Sequence, residues 1–508
     1  MEKLKMKSGD VVNGNVAKIA ALFPQCVTER LNKDGEPELA IDFDKLRAEL
    51  SKEVLDEGEE RYQFTWPDKR AASRLANTPT DKTLRPDVEA SKNFWNTENL
   101  YIEGDNLDVL KVLRENYLGK IKMIYIDPPY NTGNDFVYND DFAQGKEDFE
   151  TTSGLFDEDG NQVLDPMQRN TESNGRFHTD WLNMIYPRLK VARDLLSEDG
   201  VIFISIDDNE VENLKKISSE IFGEQNFIAD IIWKHTQQSK NDERHFSRQY
   251  NHTLCFSKCK VNLHEFYFQR TEDDNVNYSN PDNDPKGLWR SGDVRSPNYR
   301  KTLCFNIVAP NGNIITPPAN GWRWSEESVS EKIASGEIIF KKDNSGIIRK
   351  IYLSDQKGRT PENLWEGQKY GTTRQAASVI KELFEGIQVF DTPKPYELVV
   401  KMLEIASTES STILDFFSGS ATTAHAVMKL NSEDGGKRKF IMVQLPEVTD
   451  EKSEARKAGY ENICQIGEER IRRAGDKVKE EAGLQGQDID TGFRVLKLDS
   501  SNMEDVFY

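Results

Sequence analysis

Short apolar runs along this chain alternate with longer stretches in which leucine, valine and isoleucine recur every three or four positions. The runs at residues 100–102, 121–126, 201–206, 227–233, 413–416 and 440–444 have the length and composition of buried strands. Between them, helical spacing predicts a helix opening near Asn106, with Leu107, Leu110 and Leu113 inward. It predicts others over 180–196 around an internal Pro187, over 210–221 and from Thr422 onward, and the α/β pattern resumes at 379–384 and 392–406. Strand and helix in alternation mean βαβ units, and so a parallel sheet of α/β type. The pattern stops near residue 235 and returns near 372. The intervening stretch is rich in Gly, Pro, Asn and aromatic residues, with short strand candidates at 252–256, 338–341 and 347–353. It reads as a domain inserted into the α/β unit. The expected organisation is a helical N-terminal arm and linker (1–90), two α/β halves (91–234 and 372–475) around the insert (235–371), and a C-terminal tail (476–508). The arm rests on helical spacing at 41–55, broken up by Pro67, Pro79 and Pro86. Residues 134–178 read as a long polar loop lying over residues 127–130.

Composition alters this picture in two respects. The chain has 508 residues, enough for two or three domains with a substantial core. Its five cysteines form no disulfide framework and no zinc-finger spacing, so no metal site is expected. No apolar stretch approaches the length of a membrane span and the start carries no apolar leader core, so the expectation is a cytoplasmic protein without membrane contact. A net charge of −20 argues against nucleic acid until its distribution is considered. From residue 233 to 301 basic residues outnumber acidic ones, and Arg290, Arg295 and Arg300 are interleaved with Trp289 and Tyr299, ahead of Trp322-Arg323-Trp324. That mixture suits contact with bases and phosphates. The competing reading is an ordinary small domain with surface arginines.

The chemistry concentrates at strand ends. The run at 121–126 leads into Asp127-Pro128-Pro129-Tyr130. Two prolines make a rigid, extended turn, and in open α/β sheets ligands sit at the carboxyl ends of strands. A carboxylate and carbonyls aimed outward beside an aromatic ring can grip an exocyclic amine and stack a flat base. Adenine presents both features. The run at 413–416 leads into Phe417-Ser418-Gly419-Ser420 and a helix, a small-residue turn that lets backbone N–H groups approach a ligand. The run at 440–444 ends at Leu445-Pro446-Glu447, where an acid following the glycine turn can hold a ribose diol. Asp105, after the run at 100–102, either caps the next helix or points at a ligand.

Taken together, the segments NLYIEGDNLDVLKVL, IDPPYNTGNDFVYND, HTDWLNMIYPRLKVARDLLSEDGVIFISIDDNE, FDTPKPYELV, ILDFFSGSATTAHAV, FIMVQLPE and ICQIGEERIRRAG resemble the S-adenosylmethionine-dependent DNA methyltransferases in which the catalytic tetrad precedes the cofactor turn. More narrowly they resemble the modification (Mod) subunits of type III restriction-modification systems. The resemblance implies a Rossmann-like methyltransferase sheet with an inserted target-recognition domain. It implies methyl transfer from S-adenosyl-L-methionine to N6 of an adenine flipped out of double-stranded DNA. Asp127, Pro128, Pro129 and Tyr130 would be catalytic. Asp105, Asn106, Lys394, Pro395, Asp415, Phe417, Gly419, Ser420, Thr422 and Glu447 would bind the cofactor, with Lys394-Pro395 flanking its methionine end and Glu447 on the ribose hydroxyls. Ala421 stands where the usual F-x-G-x-G pattern has its second glycine. The family pattern continues beyond the segment DTGFRVLKLDSSN, so a homodimer is expected only if the tail is complete. No GxxxxGK[ST] phosphate loop occurs, so restriction would need a partner (Res) subunit. The rivals are N4-methylation of cytosine, which uses the same geometry, methylation of RNA or a protein glutamine, and a DNA-reading subunit without catalysis.

Overall fold

A computed structural model of the chain describes residues 64–133, 176–239 and 244–500, with short pieces on either side and between. Two compact units emerge: residues 1–264 with 362–508, and residues 265–361.

The first unit is built on a ten-stranded sheet. In chain order its strands are β1 (Thr83–Lys92), β2 (Leu100–Glu103), β3 (Ile121–Ile126), β4 (Leu196–Ile206), β5 (Phe227–Lys234), β6 (Asn251–Ser257), β7 (Leu364–Glu366), β8 (Thr412–Asp415), β9 (Lys439–Gln444) and β10 (Phe493–Asp499). In space the order is β7-β5-β6-β4-β3-β8-β9-β2-β10-β1. The six strands from β4 to β10 are mutually parallel. β3, the second of these six, is buried along its whole length. Both its faces are covered, which is why its sequence shows no polar alternation.

Helices α1 (Asn106–Tyr117), α2 (Phe177–Leu195) and α3 (Val211–Phe222) pack as one layer. Helices α4 (Tyr396–Ala406), α5 (Thr422–Asp434) and α6 (Ile463–Ala482) pack as another. Crossover handedness explains the split. From β2 to β3 to β4 the chain steps one way across the sheet, and from β8 to β9 it steps the other way. Right-handed crossovers therefore lay the two sets of helices on opposite faces. The reversal falls between β3 and β8, and it opens a crevice at their carboxyl ends.

Several expectations need correction. The strand near 252–256, assigned to the insert, is β6 of the main sheet; it pairs antiparallel with β4 and β5. Its continuous burial from Thr253 to Ser257 marks it as a core strand. The expected tail contributes the end of α6 and the whole of β10, and the expected linker contributes β1, the antiparallel edge partner of β10. Pro86 is tolerated there because an edge strand needs hydrogen bonds on one side only. The strand expected to begin at 201 begins at Leu196, with a register irregularity opposite Ile121–Met123. The N-terminal segment includes paired strands Val27–Leu31 and Pro37–Ile41 beside helix Val11–Leu22. Most of the predicted helix at 41–55 and of the loop at 134–178 lies outside the described residues.

The second unit has a three-stranded antiparallel sheet (Trp289–Gly292, Ile347–Tyr352, Ile338–Phe340) and helix Glu326–Ala334, capped by Ser325. It is narrower than the expected 235–371 insert. Trp322 is buried in its core with Ile307, Ile315, Val329, Ile338 and Ile347. Trp289 is also buried, and both indole N–H groups are satisfied internally, by Asp282 and by the Phe305 carbonyl. These tryptophans are therefore core residues, while Lys286, Arg290, Tyr299 and Arg300 remain exposed.

Candidate active site

The register of the central strands brings two distant stretches of sequence together. Met123 and Ile124 of β3 pair with Ile413 and Leu414 of β8. Asp127 and the Phe416–Gly419 turn therefore leave the sheet side by side at the reversal point. Neighbouring strands lie about 4.8 Å apart.

At the end of β3, the Asp127 carboxylate receives the Tyr130 hydroxyl at 3.0 Å and the Lys394 ammonium at 2.7 and 2.6 Å, one distance to each oxygen. The same ammonium stands 4.9 Å from the centre of the Tyr130 ring. Burial, with the Asp127 charge beside it, pushes the Tyr130 phenol well above its ordinary range, so it acts as a donor. The Trp181 indole N–H donates to the Pro129 carbonyl at 2.8 Å and fixes the turn against α2. Asn131 follows in the left-handed region at φ +60°, a conformation that asparagine tolerates better than most residues. Its side chain donates to Glu210 at 2.6 Å. Glu210 is fully buried and also meets His178 Nδ1 at 2.6 Å and Asn213 Nδ2 at 2.8 Å. Trp181, His178 and Glu210 thus brace the tetrad. Nothing in the spacing of the sequence singled them out, because each acts across a fold-dependent contact.

Each residue expected around the cofactor has a definite place. Asp105 caps α1 by accepting from the Asp108 N–H, and it pairs with buried Arg188 at 3.0 Å. Asn106 donates to the Phe416 carbonyl at 2.9 Å and accepts from Arg188 Nε, tying α1 to the end of β8. Asp415 is buried and accepts from the Phe417 N–H (3.1 Å) and the Thr423 hydroxyl (2.6 Å), so it shapes the turn. Burial raises its carboxyl from an ordinary 3.8 to about 7. Ser420 and Thr422 both face the buried Arg470, at 2.7 Å each. Pro395 caps α4 and packs against Gly371. Lys394, expected at the methionine end of the cofactor, is engaged with Asp127.

The turn itself suits a ligand whose edge must come close to backbone. Gly419 has φ +49°, and its N–H donates to Gln444 Oε1 at 2.7 Å. A Cβ there would stand 3.3 Å from the Phe390 ring, so the cradle is shaped by the absence of a side chain. Gln444 also donates to Glu447 at 3.2 Å, linking the turn to the acid beyond β9. A glycine cradle between an aromatic ring and a carboxylate fits the sulfonium, adenine and ribose of an adenosyl cofactor.

A family model described as "DNA methylase" matches residues 121–451, a span that begins with β3 and takes in both stretches. The Mod subunit of the type III restriction-modification enzyme StyLTI from Salmonella typhimurium is 35% identical, over 97% of this chain and 76% of that one. The EcoP15I Mod subunit from Escherichia coli is 33% identical, over 95% and 77% respectively. Among solved structures, the cytosine-N4-specific PvuII DNA methyltransferase aligns over 75% of this chain and 93% of that one, at 13% identity and a TM-score of 0.35. The chain belongs to the DNA methylase family. Within that family it belongs with the Mod subunits of type III restriction-modification enzymes.

Proposed function

We propose that this DNA methyltransferase transfers a methyl group to the exocyclic N6 of adenine in double-stranded DNA, with S-adenosyl-L-methionine as donor. The observation that carries this reading is the carboxylate of Asp127, paired with an aromatic ring and set at the sheet's reversal point beside the Gly419 turn. The cofactor supplies an electrophilic methyl on a sulfonium. Phe417, Gly419 and Glu447 would hold it, while Asp105, Asn106, Asp415, Ser420 and Thr422 keep the surrounding turns in shape.

The chain's own residues deal with the base. A target adenine cannot react inside the stack, and extruding it costs a few kcal/mol. Stacking on Tyr130 would return about 1–3 kcal/mol. The N6 lone pair is delocalised into the ring and is a poor nucleophile. Asp127 and the Pro128 carbonyl, each accepting an N–H, favour a pyramidal nitrogen whose lone pair points away from the ring. Pro129 keeps the turn rigid, with its own carbonyl committed to Trp181. The remainder of the rate enhancement is alignment of two bound reactants.

We assign base reading to residues 265–361, where exposed Arg290, Arg300 and Lys286 offer donors for major-groove edges and phosphates. A Res subunit is the proposed partner for restriction. Incubating the chain with plasmid DNA and a methyl-labelled donor, then digesting to nucleosides, tests the assignment. N6-methyladenine is expected. Label in 4-methylcytosine would move the reading to cytosine, and absence of label would reject catalysis by this chain.

A further inference from the structure

In the proposed reaction, the carboxylate of Asp127 must accept an N–H from the incoming base, and the ring of Tyr130 must receive its flat face. In this structure both places are filled by one atom. The Lys394 ammonium lies 2.6 and 2.7 Å from the two Asp127 oxygens and 4.9 Å from the Tyr130 ring centre. It offers what the target amine offers, N–H donors against the carboxylate, together with a positive charge for the ring face. We infer that Lys394 is an internal stand-in for the target amine, holding the base pocket until a flipped base displaces it.

The surroundings support a side chain that moves on a fixed backbone. Lys394 is flanked by Pro393 and Pro395, which fix φ on both sides. Its carbonyl accepts from the Thr422 hydroxyl at 3.4 Å, and Pro395 starts α4. The stem is largely buried, at 11% exposure, and Asp127 is at 25%. A carboxylate only a quarter exposed has lost part of its hydration, and the ammonium meets its charge until another donor arrives. After transfer the ammonium can return to the carboxylate and so favour release of the methylated base. Lys394 thereby becomes a positioning residue that sets how readily a base enters, in addition to any contact with the cofactor.

The inference rests on the proposed function, and the test separates the two. Binding is measured for the wild-type chain and for Lys394→Met, Lys394→Gln and Lys394→Arg, using two duplexes carrying the modified site. One duplex has adenine at the target position, and the other has an abasic residue there. Only a base that enters the pocket competes with Lys394. Lys394→Met and Lys394→Gln should therefore bind the adenine duplex more tightly, by roughly tenfold for one lost charge-assisted contact, with no change on the abasic duplex. Lys394→Arg keeps the charge and should show no gain. A purely structural or cofactor-binding lysine would weaken both duplexes alike or leave their ratio unchanged, and either result overturns the inference. If the wild-type chain transfers no methyl to the adenine duplex, the functional reading itself has failed, and that outcome is recorded separately from the binding ratio.

Discussion

Ala421 shows how far a single side chain can depart from a motif without breaking it. It sits at φ +61°, in the region where glycine is at ease and an L-residue is strained, and it is fully buried. A left-handed alanine costs about 1–2 kcal/mol, whereas the methyl group it buries contributes about 0.8 kcal/mol. Ala421→Gly should therefore leave stability unchanged or raise it by up to about 1 kcal/mol, where the same exchange inside a helix would lower it. Denaturant midpoints of the two chains check this. Gly419 behaves oppositely: Gly419→Ala adds the strain and pushes a methyl to 3.3 Å from Phe390, so cofactor affinity should fall.

Asp415 gives a pH-dependent readout at the same scale. Its folded-state carboxyl is raised from 3.8 to about 7 by burial. A raised acid contributes stability that is fully present below about pH 4 and is lost as pH rises through about 7. Asp415→Asn cannot titrate, so its melting temperature relative to wild type should climb across that window. A difference that stays flat from pH 4 to 8 would contradict the burial argument. His252 has the opposite charge type: hydrogen bonds that its ring N–H groups donate to Asp230 and then Asp208 raise its pKa above 6.5. Its contribution is present below about pH 6.5 and fades as pH rises past the raised value, so His252→Asn should remove a loss of stability on the alkaline side.

Among elements, local features were the legible ones. β3 and β8 announce themselves by continuous apolar runs, since both faces of a central parallel strand are covered, and the motifs sit at their ends because that is where the chain leaves the sheet. β1, β6 and β10 were misassigned because strand pairing is nonlocal. β1 pairs with β10 across some four hundred residues, and no local signal encodes such a partner. The same limit hid the bracing of the tetrad. Lys394 lies beside Asp127 across 267 positions, and Glu210 reaches Asn131 across 79. Asp105 shows a different outcome, in which the capping alternative is realised together with an ion pair to Arg188. Glu210 carries an element-scale prediction. Replacing it with glutamine turns one acceptor into a donor facing three donors, a mismatch of about 1–3 kcal/mol. Glu210→Gln should lower methyl-transfer turnover while cofactor affinity stays close to wild type, as read by single-turnover assays and calorimetry.

For the whole molecule, the proposed chemistry and the proposed base reading fall in different units. One unit carries the sheet and both strand-end motifs, and the other is a small domain with its own core, where Trp322 packs among isoleucines and Val329. Sequence composition suggested that the aromatic–basic mixture of the insert faces bases. Burial divides that mixture, with Trp289 and Trp322 inside and the arginines outside. Replacing residues 265–361 by the matching unit of a relative should move the modified sequence, read by single-molecule sequencing of modified bases, and leave the chemistry unchanged. An unchanged site would assign base reading elsewhere. Despite the net charge of −20, DNA binding through Lys and Arg contacts to phosphates should weaken steeply with salt, because each contact releases condensed counterions.

The central claim is that Asp127 grips the amine that becomes methylated. The direct measurement is transfer of labelled methyl to duplex DNA by Asp127→Ala beside wild type, with donor binding followed by calorimetry in the same preparations. Transfer should disappear in the variant while donor affinity persists; a variant that binds the donor and still methylates at the wild-type rate would contradict the account.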